Sequence, residues 1–307
     1  MTLFIERNQC PVCANTNKKV LIKKHINDKD FVEFMRLEPT YKDAFYNDLN
    51  NGVLDEQIFE VVKCLQCTFI YEKYVLNDIG MNKLYNVWMD HTTVDSLSGS
   101  LETKEKRFKY YQDRIFYIQN HFKKKRINIL DWGAGLGNFC IAVKSVNNGD
   151  VYAYDYSTVK NNHLEQQGII TKPLNEFPEK HFHFINIDQV LEHVSDPLLL
   201  LKTTLKYITD DGLIFVSVPS CYTIEAQLKK NILDEKTFSQ LNPHQHINAF
   251  TNKTLKTIGK KAGLKLCFEP VLQIRSTHSK GVNEYMKNIL KPFYREWIST
   301  SLFFKRA

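Results

Sequence analysis

Apolar residues recur at two periods along this chain, and the change between them sets out its architecture. From Leu101 to Phe122, Phe108, Tyr111, Ile115, Ile118 and Phe122 return at helical spacing. Beyond that helix, short aliphatic runs alternate with helix-compatible stretches. Ile127–Trp132 reads as a first strand and Val151–Asp155 as a second. Ser157 is placed to cap the next helix, which should end near Gly168. Residues 168–170 give a short third strand and Phe182–Val190 a fourth. Asp196-Pro197 is a helix start, a capping carboxylate with proline in the first turn, followed by Leu199, Leu200, Leu205 and Ile208. Asp210-Asp211-Gly212 turns into a fifth strand, Leu213–Val218. A helix over Thr251–Ala262 closes at Gly263, and Leu264–Glu269 is a later strand. Such alternation predicts an α/β fold with a doubly wound, mostly parallel, Rossmann-like sheet covered on both faces.

The pattern divides the 307 residues into four segments. Residues 1–75 form a small cysteine-bearing module, 76–125 a helical, aromatic-rich connector, 126–275 the large α/β domain, and 276–307 a helical extension broken at Pro292. Charge changes this picture little. The net charge is +7, yet the lysines are interleaved with acids, and Lys123-Lys124-Lys125-Arg126 is the only dense basic run. A solvated helix end accounts for that run better than a nucleic-acid footprint does. The first nine residues lack the apolar core of a signal peptide, and the longest aliphatic run, Leu198–Leu201, is far too short to span a bilayer. The chain therefore reads as cytoplasmic, without membrane insertion. Seven cysteines, an odd number in a reducing compartment, direct attention to metal rather than disulfides.

The richest chemistry lies where the first strand meets its helix, at Asp131-Trp132-Gly133-Ala134-Gly135-Leu136-Gly137-Asn138. Strand, glycine turn and helix present backbone amides and a helix N-terminus to a nucleotide-like ligand. The third glycine falls one place earlier than in the dinucleotide fingerprint. Asp131 would repel a pyrophosphate but suits a ligand carrying an ammonium and a sulfonium. Asp155, twenty residues after Gly135 at the end of the second strand, is placed to bind both ribose hydroxyls of an adenosine.

With these pieces in order, the chain resembles the class I S-adenosylmethionine-dependent methyltransferases over about residues 100 to 270. The matching parts are Asp131–Gly137, Asp155, the run Val190-Leu191-Glu192-His193-Val194 with Asp196-Pro197, the strand Gly212–Pro219, His246–Thr251 and Ala262-Gly263-Leu264. The resemblance implies that Gly133, Gly135 and Gly137 wrap the methionine and ribose part of the cofactor. It implies further that Asp131 sits near the cofactor's amino group, that Asp155 holds the ribose, and that Gln189 contributes near the methionine end. Asn175 or Glu176 is implied for adenine. Ubiquinone-type relatives, which share the Leu-Glu-His run, carry a glutamate where this chain has Gln189. Losing that hard oxygen anion removes the expectation of a catalytic metal, and Glu192 and His193 are read as orienting the loop.

Methyl transfer to a hydroxyl or carbon acid also requires removal of a proton, and histidine suits that near neutral pH. His244 and His246 follow the fifth strand after the segment Tyr222–Leu241, and either is a candidate general base; a structural role for His246 is equally compatible with the sequence. Separately, Cys10-Pro11-Val12-Cys13 and Cys64-Leu65-Gln66-Cys67, with 50 residues between the pairs, read as two zinc knuckles completing one tetrahedral structural site. A redox role competes, but neither pair opens a helix in a βαβ unit. Ala14 and Thr68 stand where glycine often follows the second cysteine. Cys140, Cys221 and Cys267 are isolated and read as buried packing residues.

Bacterial methyltransferases of sugar and polysaccharide pathways resemble this chain in having an N-terminal Cys₄ ribbon, then an aromatic segment like Leu84–Trp88, then the catalytic domain. The resemblance implies a small-molecule or glycan-precursor acceptor, such as a sugar nucleotide. The alternative is an RNA-modifying methyltransferase whose zinc module grips nucleic acid. Against it, the lysines of the cysteine module alternate with Asp28, Asp30, Glu33 and Glu38, and the fourth strand lacks the Asn/Asp-Pro-Pro-aromatic motif of many base methyltransferases. The amphipathic tail after Gly281 is a candidate for pairing subunits in a homodimer, or for packing on its own domain.

Overall fold

The computed structural model describes residues 2–90, 101–123, 126–147, 149–267 and 299–307. It resolves into two compact units. One comprises Ser98–Val190, Leu201–Ser217 and Ala262–Ala307; the other comprises Met1–Leu97, Leu191–Leu200 and Val218–Lys261.

The first unit is built on seven strands: β1 (Ile129–Trp132), β2 (Val151–Tyr154), β3 (Ile170–Thr171), β4 (Phe182–Asp188), β5 (Ile208–Ser217), β6 (Leu264–Leu266) and β7 (Ser301–Arg306). Their order across the sheet is β6-β7-β5-β4-β1-β2-β3. Strands β1 to β5 pair in parallel, and β7 runs antiparallel to both β5 and β6. The chain steps from β1 outward to β3 and then returns to the other side of β1. A topological switch point therefore lies between β1 and β4, at whose carboxyl ends open α/β sheets bind ligands. All four residues of β1 are buried, as expected of a central parallel strand covered on both faces. Helix α1 (Leu101–Phe122) brings Ile115 and Ile118 into a core with Ile129, Phe184, Phe215 and Phe303, joined by Phe139 and Val143 of helix α2 (Asn138–Lys144). The expected caps form: Ser157 Oγ accepts from the Lys160 N–H, and Asp196 Oδ1 from the Leu199 N–H.

Most expected elements form with their ends shifted by a residue or two, and two differences are larger. Strand β5 begins at Ile208 rather than Leu213, and the expected turn at Asp210-Asp211-Gly212 survives as an irregularity inside it. Ile208 pairs with Phe182 and Leu213 already with Phe184, so the residues between loop out of register. The C-terminal correction is larger. Residues 301–306, read as part of a helical extension, form strand β7, with Leu302, Phe303 and Phe304 buried. Three consecutive apolar residues have no period of their own, and a short run of this kind is equally a fully buried strand. The break at Pro292, the stretch after Gly281 up to residue 298, and Lys124-Lys125 lie outside the described residues.

The second unit holds a four-stranded antiparallel sheet in the order Asn248–Ala249, Ile70–Glu72, Ile58–Cys64, Lys18–His25. Phe4–Glu6 and Tyr74–Leu76 form a separate antiparallel ribbon. Phe31 stacks on Phe59 at 5.2 Å and Phe45 meets Trp88 edge-on at 5.5 Å within a core that also contains Leu54, Ile224 and Leu241. The segment Val218–Lys261 belongs to this unit, where Asn248 and Ala249 pair with Tyr71 and Ile70. Among the described residues no helix is long and apolar enough to cross a membrane.

Candidate cofactor site and cysteine centre

The turn after β1 needs glycine at three positions, for different reasons. Gly133, Gly135 and Gly137 have φ of 80°, 56° and 80°, in the left-handed region that L side chains rarely adopt. A Cβ on Gly133 would fall 2.4 Å from Val190 Cγ2, and one on Gly137 would fall 2.4 Å from Leu164 Cδ2. Those two glycines let the turn pack. A Cβ on Gly135 would meet nothing within 4 Å among the described residues beyond its chain neighbours. The backbone at Gly135 borders open space, as required where a ligand approaches main chain.

Asp155 follows β2 and ties this turn down. Its Oδ2 accepts from the Gly135 N–H at 2.9 Å and its Oδ1 from the Ser157 N–H at 2.9 Å, with Lys160 Nζ 3.7 Å away. A carboxylate offers about four acceptor positions, so each oxygen keeps capacity for a hydroxyl donor. Asp131 is set differently. It is 3% exposed, accepts from Asn186 Nδ2 at 2.7 Å and from the Cys140 thiol at 3.4 Å, and burial pushes its carboxyl up to about 7. Gln189 follows β4 in the left-handed region at φ 59°, its N–H donating to Ser217 O and its Nε2 to Ser217 Oγ. The three glycines, Asp131, Asp155 and Gln189 thus all belong to one unit and to the carboxyl ends of β1, β2 and β4, beside the switch point.

The two histidines belong to the other unit, and the structure separates them in character. His244 is buried, with Nδ1 at 2.8 Å from the Tyr41 hydroxyl and Nε2 at 2.8 Å from Gln57 Nε2. Desolvation lowers its pKa to about 3, and Phe4, Tyr41, Phe45 and Trp88 surround the ring. Both nitrogens are engaged and the ring stays neutral, so it is suited to holding structure. His246 is half-buried. Its Nδ1 lies 3.2 Å from Ser239 O, and a carbonyl can only accept, so the proton sits on Nδ1 and the lone pair on Nε2. Burial lowers its pKa as well, opposed by the Ser239 carbonyl. Its ring meets that of His193 at 4.9 Å, and Glu192, His193 and His246 place their ligating atoms within 4.8 Å of one another.

Sequence reasoning passed over the residues that hold this loop. Asn248 Nδ2 donates to Leu191 O and Val194 O, while its Oδ1 accepts from Arg7 at 2.7 Å. Arg7 also donates to the carbonyls of Glu72 and Ile247. The available signal was Asn248, inside the run His246–Thr251 named above. Arg114 and Asn186, beside Asp131, carried no signal of their own: one lies in an amphipathic helix and the other in a buried strand.

The four cysteines converge in the second unit. Cys10 Sγ and Cys67 Sγ are 3.5 Å apart, as are Cys13 Sγ and Cys64 Sγ, and all four sulfurs lie within 4.8 Å of one another. Both turns share one backbone pattern. The N–H of the first cysteine bonds the carbonyl five residues on (Cys10 to Asn15, Cys64 to Phe69). The residue after the second cysteine returns its N–H to the first (Ala14 to Cys10, Thr68 to Cys64). Ala14 and Thr68 take φ of 59° and 66°, which explains why glycine is common at these places. Burial pushes the Cys13 thiol up to about 11, which disfavours a bare thiolate at this point.

The family model described as a methyltransferase domain matches residues 103–267, more than half of the chain. The chain belongs to this methyltransferase family. It is an S-adenosylmethionine-dependent methyltransferase by class, with the mixed α/β, mostly parallel fold of that family. No curated protein matches it by sequence. Among solved structures it is similar to the plantazolicin methyltransferase BpumL with a monoazolic desmethylPZN analog and SAH (17% identity, 74% of this chain and 93% of that one, TM-score 0.48). It is also similar to a SAM-dependent methyltransferase from Aquifex aeolicus (15% identity, 58% and 90%, TM-score 0.40). A third likeness is to coclaurine N-methyltransferase bound to N-methylheliamine and SAH (15% identity, 68% and 72%, TM-score 0.38).

Proposed function

We propose that this methyltransferase binds S-adenosylmethionine at the carboxyl ends of β1, β2 and β4 and methylates a small polar acceptor, a sugar nucleotide or glycan precursor. The observation that carries the cofactor part is Gly135: its backbone is anchored to Asp155, and a Cβ there would meet no other described residue within 4 Å. In this reading Asp155 receives the ribose hydroxyls, Asp131 faces the amino group directly or through water, and Gln189 borders the methionine end. The sulfonium supplies an already activated methyl, so the chain's task is to hold both reactants in line and manage one proton. His246 is the residue we assign to that proton, because its neutral ring carries the lone pair on Nε2 while Ser239 fixes its orientation. The acceptor class is supported by the order of modules, cysteine centre, aromatic segment, then catalytic fold.

The cysteine centre fits a structural zinc. Cys10, Cys13, Cys64 and Cys67 would hold it, and the ion would neutralise thiolates that burial otherwise disfavours, pinning the two turns together. The test of the cofactor site is calorimetric titration with S-adenosylhomocysteine, joined to an acceptor screen that detects the same product. Asp155→Ala and Gly135→Val should each abolish binding in folded protein; unchanged affinity in both would sink the assignment. Turnover with sugar nucleotides, and none with RNA, is the outcome that supports the acceptor class.

A further inference from the structure

Asp131 is held by a chain of contacts that begins on helix α1. Arg114 is 7% exposed, and its guanidinium carbon lies 3.8 Å from the centre of the Phe215 ring. Nη1 donates to Asn186 Oδ1 at 2.7 Å, and both Nη atoms lie 3.4 Å from Asp188 Oδ2. The other end of the same amide, Asn186 Nδ2, donates to Asp131 Oδ1 at 2.7 Å. A guanidinium has donors only, so it compels the amide oxygen to face it and the NH₂ to face the carboxylate. Asn186 is 1% exposed, and water does not decide the matter.

We propose that Arg114 is a positioning residue for the cofactor site: through the Asn186 amide it keeps Asp131 an ionised acceptor for the ligand's α-ammonium. The proposal rests on the assignment of Asp131 to the amino group made above. Without Arg114 nothing fixes the amide's orientation, and an amide turned with its oxygen toward the carboxylate favours protonated Asp131. The groups around Asp131 set the direction of the effect. Burial is the largest influence and favours the neutral acid; Asn186 and the Cys140 thiol of α2 oppose it; Asp188 of β4 adds to it; Arg114 of α1 opposes it. Tyr111 of α1, itself near Asp188 and Arg107, faces the same cluster and stays un-ionised, its pKa raised to about 12 chiefly by burial. Removing Arg114 therefore leaves Asp131 with the influence of burial and of Asp188 and less to counter them.

The experiment measures the affinity of S-adenosylhomocysteine and of 5′-methylthioadenosine, which lacks the amino-acid portion, between pH 6 and pH 9. Arg114→Met and Asn186→Leu should each weaken S-adenosylhomocysteine roughly tenfold at neutral pH, the scale of one hydrogen bond to a charged group. Affinity should recover as pH rises, and 5′-methylthioadenosine should bind as in the parent protein. The double variant should lose no more than either single one, because the two act through one amide. Arg114→Lys keeps a donor facing Asn186 and should restore binding; it also carries the test if Arg114→Met does not fold. Asp131→Asn separates the two readings. If it leaves the preference for S-adenosylhomocysteine intact, the assignment of Asp131 to the amine fails. If it removes that preference while Arg114→Met and Asn186→Leu leave affinity and pH dependence unchanged, the role of Arg114 alone is overturned.

Discussion

Replacing His244 by phenylalanine separates a structural histidine from a catalytic one, and the structure sets the size of the effect. The ring volume is retained among Phe4, Tyr41, Phe45 and Trp88, but the hydrogen bonds to Tyr41 and Gln57 are lost. A buried polar group left without its partner costs roughly 1–3 kcal/mol. Two such groups amount to about 2–6 kcal/mol, which for a chain of this size lowers Tm on the order of 10 °C. The pH dependence adds a second signature. In the folded protein desolvation depresses the His244 pKa to about 3, against about 6.5 for a free histidine. The unfolded chain therefore binds the proton first: the stabilising contribution of the neutral ring is whole above pH 6.5 and erodes as pH falls toward 3. Between pH 7.5 and pH 5 this one group removes about 2 kcal/mol from the parent protein. His244→Phe should start lower at pH 7.5 and lose less on acidification, while methyl transfer per folded molecule persists at a temperature below its transition. The assay is urea unfolding at both pH values beside a turnover measurement on the soluble fraction. Unchanged stability and an unchanged acid limb, with turnover abolished, would refute the structural reading and return His244 to the role of base.

Other expectations follow from the same geometry. Thr68→Gly relieves a β-branched residue at φ 66° and should raise urea-unfolding stability by about 1–2 kcal/mol; a decrease would show that the methyl and hydroxyl contribute more than the strain costs. The purified protein should hold one zinc by elemental analysis, and Cys64→Ser or a strong chelator should release it with loss of the folded second unit. A metal-free protein of full stability would remove the zinc assignment. His246→Gln should lower turnover at least a hundredfold with S-adenosylhomocysteine affinity unchanged. Because burial lowers the His246 pKa, the acid limb of turnover in the parent protein should fall below the usual histidine range. A limb at or above that range would point to another base.

Much of the proposed cofactor edge is local in the sequence. Gly133, Gly135, Gly137 and Asp155 follow directly from strand ends, and strand ends follow from runs such as Ile127–Trp132 and Val151–Asp155. The same logic located the two cysteine turns but could not rank Ala14 and Thr68, since nothing in a side chain declares a φ of 59° or 66°. What stayed hidden was long-range. Residues 301–306 have no helical or strand period, and only pairing with β5 and Leu264–Leu266 makes them a strand. Arg114, between Tyr111 and Ile115 in helix α1, carries no signal until Asn186 and Asp188 are placed beside it.

The two acids at the proposed cofactor edge are held in different ways. Asp155 accepts from two backbone N–H groups within its own neighbourhood, Gly135 and Ser157, so its position follows from the strand-turn-helix unit. Asp131 sits at the buried end of β1, where desolvation alone would favour the neutral acid. Its charge depends on Asn186, fifty-five residues away, and on how Arg114 orients that amide. A substitution near Asp155 should therefore disturb the shape of the glycine turn. One near Asp131 should instead change the pH at which the site accepts an ammonium, leaving the turn intact. Calorimetry across pH on Asp155→Ala and Arg114→Met distinguishes these effects: the first should weaken 5′-methylthioadenosine and S-adenosylhomocysteine alike at every pH, the second only the ligand that carries the amine.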